Sequence, residues 1–200
     1  GQPAVAANSL DQRVGQRRTF TTLSYATTTL PAGWSAQDIG PVSTTKPGIS
    51  YYDGNLSGGT FSLRSAGDDI FFSEDSFHFA ATPVTGDFTL TARIDAWYGY
   101  LDLLSKGVTM FRSTLASGSP MVTQSVNYDE DDYLYYRASA NTDHVVVLNT
   151  ELNSATGAPL WIRLRRVGNT FTQYYSQNGT SWTIHGPAAG TTLGLPQSGY

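Results

Sequence analysis

Cysteine is absent from the 200 residues, so no disulfide framework, thiolate zinc site or cysteine nucleophile can be built from this chain. Charge is scarce as well: Asp, Glu, Lys and Arg make up only 14%, with a formal net charge of −4. That balance excludes the broad basic surface, interleaved with aromatics, that a nucleic-acid-binding domain needs. The two dense basic groups, Arg13/Arg17/Arg18 and Arg163/Arg165/Arg166, are short, and read as an exposed segment near the terminus and one solvated strand face. No apolar run is long enough to span a bilayer, and no basic and apolar signal segment precedes Gly1, so the chain is expected to be a soluble, mature or excised product. Helix signals are missing too. The best stretch, Tyr98 to Ser105, is interrupted by Gly99 and has no cap to start it. Serine-nucleophile signatures and phosphate-cradling glycine loops are also lacking.

What remains is a chain rich in Ser, Thr, Gly, Tyr and Asn, 40% hydrophobic, which is enough for one sizeable core. Residues 1–30, with a Thr-rich run around Phe20, Leu23 and Tyr25, read as an N-terminal arm or first strand, and 31–200 as one domain. From Trp34 onward, turn signals recur at short intervals: Asp53-Gly54-Asn55, Ser57-Gly58-Gly59, Ala66-Gly67-Asp68, Thr85-Gly86-Asp87, Ser117-Gly118-Ser119 and Ser154-Ala155-Thr156-Gly157. The runs between them predict strands at Thr60–Arg64, Ile70–Phe72, Phe77–Ala81, Phe88–Ala96, Gly107–Arg112, Met121–Val126, Tyr133–Ala138 and Val145–Leu148. The clearest pattern runs from Trp161 to Trp182. Trp161, Arg163 and Arg165 alternate with Ile162 and Leu164; Gly168-Asn169 then separates them from a second run, Phe171 to Tyr175. Asn178-Gly179 supplies residues tolerant of positive φ for a second tight hairpin. The expectation is an all-β, two-sheet antiparallel jelly-roll sandwich.

Several segments carry a family likeness in their order and spacing: Gly33-Trp34-Ser35-Ala36-Gln37-Asp38-Ile39-Gly40, Asp75-Ser76-Phe77-His78-Phe79, Thr85-Gly86-Asp87-Phe88-Thr89-Leu90, Lys106-Gly107-Val108-Thr109-Met110-Phe111-Arg112 and Gly168-Asn169-Thr170-Phe171-Thr172. Over about Gly33 to Tyr200 the chain resembles the bacterial concanavalin A-like domains labelled "regulation of enolase protein", lectin-type modules attached to secreted glycosidases and surface proteins. The resemblance implies a jelly roll of two antiparallel sheets, one concave, with frequent but not universal carbohydrate binding and a secreted or cell-surface location; it does not imply catalysis. It also implies a further apolar strand beyond Tyr200, and a sheet lacking that strand offers an open edge to neighbouring copies or domains.

Sugar rings stack their C–H faces on aromatic planes while polar neighbours bind the hydroxyls. The candidate platforms are Trp97, Tyr98, Tyr133 and Tyr135; Asn127, Asp129 and Arg137 are the hydrogen-bonding candidates. Alternation places Tyr133 and Tyr135 on one face of their strand and Tyr136 on the other. Asp68 and Asp69 are the candidate ligands for a structural calcium ion, which favours several hard oxygens. The paired carboxylates of a glycan-cleaving enzyme are not found at alternating positions of an apolar strand. His78 reads as a hydrogen-bonded core or edge histidine. Carbohydrate binding without catalysis is therefore the leading expectation. The alternatives are a structural subunit of an extracellular filament or other assembly, joined by strand exchange or by its arm, and a glycan-cleaving enzyme.

Overall fold

The computed structural model describes residues 29–55, 58–96, 105–127, 131–151 and 159–200, with backbone alone at 131, 132 and 149–151. Trp97, Tyr98 and Asp129 lie outside these residues, as do the arm at 1–28 and most of the weak helix candidate. Among the described residues there is no helix. Seventeen strands run β1 (Ser35–Ile39), β2 (Ile49–Asp53), β3 (Thr60–Arg64), β4 (Ile70–Phe71), β5 (Glu74–Asp75), β6 (Phe77–Ala81), β7 (Val84–Thr85), β8 (Phe88–Ile94), β9 (Lys106–Arg112), β10 (Met121–Asn127), β11 (Asp131–Arg137), β12 (Val145–Glu151), β13 (Leu160–Val167), β14 (Thr170–Ser176), β15 (Thr183–His185), β16 (Thr191–Thr192) and β17 (Ser198–Gly199).

Two larger antiparallel sheets dominate. One has the order β12-β11-β10-β9; the other has β15-β14-β13-β8, with β16 also on β14. Their facing sides share a core in which Phe111 and Val122 of the first meet Leu164 and Phe171 of the second, with Leu193 and Leu195 closing one end. Val126 packs likewise with Leu160 and Ile162. The fold is thus all-β and sandwich-like, its interior built by the strict alternation of β13, where Leu160, Ile162 and Leu164 point inward.

β13 departs from its pattern at one end. Arg166 continues the inward row and is fully buried, while Val167 is exposed. The three arginines are therefore not one solvated face. Arg166 lies over the rings of Phe111 and Phe171, 4.9 and 5.0 Å from their centroids. It donates to the carbonyls of Gly168, Pro196 and Leu195. A guanidinium with its donors satisfied and flat apolar rings beside it is an effective lid for a sandwich end.

The hairpin between β13 and β14 is the tight one that alternation predicts, with Val167 opposite Thr170 and Gly168 at φ +58°. The next is longer. β14 ends at Ser176 and β15 begins at Thr183, and Asn178 does not take positive φ. Its side-chain oxygen instead accepts from the backbone of Thr180 and Ser181 and from the Thr180 hydroxyl, the local turn chemistry at which asparagine excels.

The opposite face of the β9–β12 sheet is also covered. β1 and β6 pair antiparallel, and their Ile39 and Phe77, with Ile70 of β4, pack on Met110, Met121 and Tyr135. The β2–β3 hairpin, with Ser50 opposite Leu63, approaches the far side of the β1–β6 pair through a hydrogen bond from β2 to β6. At the C-terminal end, β17 pairs with β7, and Tyr200 exchanges both backbone hydrogen bonds with Arg112.

Candidate functional site

The outer face of the β9–β12 sheet carries an unusual load. Asp75, Arg112 and Arg137 are all fully buried there. Arg137 donates to both Asp75 oxygens, at 2.8 and 3.1 Å, and Arg112 donates to one of them. Two cations face one anion, and the excess is spread over backbone oxygens: Arg112 donates to Thr114 and Ala116, and Arg137 to Thr142 and Ser119. Burial lowers the Arg112 pKa, and Asp75 opposes that shift.

This network holds a presented aromatic. Phe72 is 64% exposed and sits at φ +51°, a conformation that costs a bulky side chain roughly 1 kcal/mol or more. Both sides of its peptide are held. The Arg137 guanidinium donates to the Phe72 carbonyl at 2.8 and 3.3 Å, and the Phe72 N–H donates to His144 Nδ1 at 2.8 Å. The His144 ring lies against Phe71, tilted at 42° with centroids 3.6 Å apart, and Phe71 and His144 both meet Tyr135 near edge-on. Desolvation, followed by the Arg137 charge, pushes the His144 pKa below its ordinary value.

Several expected site residues occupy other roles than those the sequence suggested. Tyr135 is fully buried, so it has no ring face for a sugar; a shift in register between Leu134 and Tyr135 against β12 accompanies its position. Desolvation drives its hydroxyl pKa far up. Arg137 is a buried anchor and not a surface donor. Tyr133 is partly buried on the same face as Tyr135, and Tyr136 packs on the inter-sheet core, so alternation assigns the faces as expected. Asn127 is 1% exposed, and neither its amide nitrogen nor its oxygen has a partner among the described residues. An unsatisfied buried amide costs about 1–3 kcal/mol. Asp69 receives Lys106 Nζ at 2.7 Å, so calcium coordination by Asp68 and Asp69 would have to displace that ammonium. Among the described residues no group of three or more His, Asp or Glu side chains is placed to hold a metal.

A second constellation lies on the far side of the β1–β6 pair. Asp38 and His78 are direct cross-strand partners, and His78 Nδ1 is 2.7 Å from Asp38 Oδ1. His78 Nε2 is 2.8 Å from Ser50 Oγ. The Gly48 N–H reaches both Asp38 oxygens at 3.1 Å. Glycine is required there, because a Cβ would lie 2.2 Å from the His78 ring. Desolvation works against the Asp38 carboxylate, but the bonds from His78 and Gly48 outweigh it and hold the carboxyl pKa below its usual value. His78 is hydrogen-bonded, as its setting between two phenylalanines suggests; its partners, distant in sequence, carried no signal.

Comparison of the chain with protein-family models, with curated proteins and with solved structures gives no match.

Proposed function

We propose that this protein is a carbohydrate-binding domain of a secreted or cell-surface protein, non-catalytic toward the glycan it binds, a jelly roll of concanavalin A-like type, with Phe72 as its principal platform. The observation that carries this reading is the exposed Phe72 ring, held at positive φ by hydrogen bonds on both sides of its peptide. An exposed apolar ring on a backbone held in this way resembles a stacking surface for the C–H face of a sugar, and the held backbone loses little conformational freedom on binding. Tyr133, partly buried on the same face of the sheet, is the next group a glycan would engage, whereas Asn127, 1% exposed, is out of a ligand's reach. Arg137 and Tyr135 act from beneath, by fixing the Phe72 carbonyl and supporting the Phe71 and His144 rings. Retention on immobilised polysaccharides and a glycan array tests this. Phe72→Ala is expected to lose binding while melting cooperatively, and unchanged retention in that variant would remove Phe72 from the site.

A second reading concerns assembly. Among the described residues, β9 pairs with β10 along its length, and on its other side Arg112 pairs with Tyr200. Continuing that register would bring an added strand beside Met110 and Val108, so the edge is suited to strand addition. Size-exclusion chromatography with light scattering separates the two: a monomer at all concentrations opposes assembly of identical copies through this edge.

A further inference from the structure

We infer that Ser50, His78 and Asp38 form a nucleophilic site that cleaves small acyl esters, independently of any glycan at Phe72. The chemistry follows from which atoms can donate. A carboxylate only accepts, so the His78 proton facing Asp38 must be on Nδ1. That leaves the Nε2 lone pair directed at Ser50 Oγ, at 2.8 Å, as the acceptor of the hydroxyl proton. This is the logic of an activated serine: a base within hydrogen-bond reach of the nucleophile, itself oriented by a third group. Asp38 is in turn oriented by the Gly48 N–H, so each member of the chain is held by the next.

A purely structural relay would account for the hydrogen bonds, and two further features point to a ligand. The relay reaches the surface at its acidic end, where the Asp38 side chain is 28% exposed, and Ser50 keeps 8% of its surface. Beside it stands an aromatic group that the main core does not use. Tyr52 is two residues along β2 from Ser50, so it projects to the same side. The Phe61 ring lies 4.9 Å from both Tyr52 and Trp34, and all three are partly exposed. Ser50 is buried, with 8% of its surface left, so only an acyl group as small as acetyl is expected to reach it, and the aromatic trio suits an aryl or other apolar alcohol.

In the reaction, Ser50 Oγ attacks the ester carbonyl carbon as its proton passes to His78 Nε2. The tetrahedral intermediate then expels the alcohol, which takes that proton, leaving acyl-Ser50 and neutral His78. Water attacks the acyl group as His78 removes its proton. Collapse releases the carboxylic acid and returns the proton to Ser50. Asp38 does not touch the substrate and is a positioning residue.

The test uses the whole chain with phenylmethylsulfonyl fluoride and p-nitrophenyl acetate, read by intact mass, peptide mapping and nitrophenol release. A single sulfonyl adduct on Ser50 and turnover of the ester are expected, both absent in Ser50→Ala. His78→Gln should slow modification about 100-fold, the size of a general-base contribution. Asp38→Asn should also slow it and change the pH profile. No adduct on Ser50 of the folded wild-type chain would overturn the proposal, as would equal rates in wild type and His78→Gln. Should His78→Gln fail to fold, the wild-type pH profile decides. Modification that rises and levels off as one imidazole loses its proton supports the site, and a rate following hydroxide alone overturns it.

Discussion

The two faces of the β9–β12 sheet are stabilised by different physics. On the inner face, Phe111, Val122 and Val126 meet Leu164, Phe171 and Ile162 of the opposing sheet, and the interaction is non-directional burial of apolar surface. On the outer face, Met110, Met121 and Tyr135 still supply an apolar patch, but Asp75, Arg112 and Arg137 are buried beside it. Burial on the inner face is mainly a matter of shape, with Gln124 donating to the Tyr174 carbonyl and Arg166 to carbonyls at one end. The outer face needs each donor and acceptor in a particular place, and that requirement fixes the path of residues 70–75 and lifts Phe72 into solvent. The sandwich is thus made by one face and the presented aromatic by the other.

The largest expected effect tests the directional face. Asp75→Asn keeps the shape but leaves two buried guanidiniums without a counter-charge, a change that should cost about 3–5 kcal/mol in urea unfolding. Glycan retention should fall with it, because Arg137 then loses the carboxylate that aims it at the Phe72 carbonyl. A loss below about 0.5 kcal/mol, the size of an ordinary surface change, would mean that the network is not what holds this face. Leu164→Ala is the matching change on the inner face, expected to cost about 2–5 kcal/mol through lost burial and an added cavity. Its signature is different: stability falls, while glycan retention of the folded fraction stays. If both variants lost binding in proportion to stability, the two faces would not be separable.

A third measurement sharpens the comparison through pH. His185, on β15, is buried against Tyr175, and desolvation pushes its pKa down to about 4. In the unfolded chain it titrates near 6.5, so between these values the unfolded state binds more protons and stability must rise with pH. The contribution, of order 3 kcal/mol, is complete above about 6.5 and is lost as pH falls toward 4. His144 shifts in the same direction and adds a slope of the same sign. Urea titrations at a series of pH values should show His185→Gln flattening most of the slope; an unchanged slope would assign the acid sensitivity elsewhere.

The sequence was most legible where turn signals bracket a strand or apolar residues alternate along it. β3 and β6 have the bounds that pattern suggests, and the register of β13 with β14 follows from alternation and Gly168. β1 and β2, as long as β3 and β6, were missed because they mix Ser, Gln, Asp and Tyr, with no clean period of two in their apolar residues. The site was much less legible. Charge in a sequence reads as surface, yet Asp75, Arg112, Arg137 and Arg166 are buried because tertiary partners satisfy them. Phe72 was read as the end of an apolar strand, and nothing local predicts its positive φ, which depends on Arg137 and His144 far along the chain. The Asp38, Ser50 and His78 relay has no local spacing at all. It exists only once β1, β2 and β6 come together.

The smallest effect is the sharpest, because it should improve one property and destroy another. At φ +51° a phenylalanine is strained, whereas glycine occupies that region without steric cost. Phe72→Gly removes a ring that is mostly in solvent, so little apolar burial is lost, and the backbone bonds to Arg137 and His144 can persist. Relief of strain offsets the greater freedom of glycine in the unfolded chain, and the net change in stability should lie within about 1 kcal/mol of zero. Phe72→Ala removes the same ring but keeps the Cβ strain, so it should be the less stable of the two variants. Thermal unfolding of the pair, measured beside retention on immobilised glycan, then separates presentation from packing. If both variants lose retention and the glycine variant melts higher, the strain at position 72 serves to present the ring. If instead the glycine variant is the less stable, the ring contributes packing despite its exposure, and the outer face depends on apolar burial more than its exposed ring suggests.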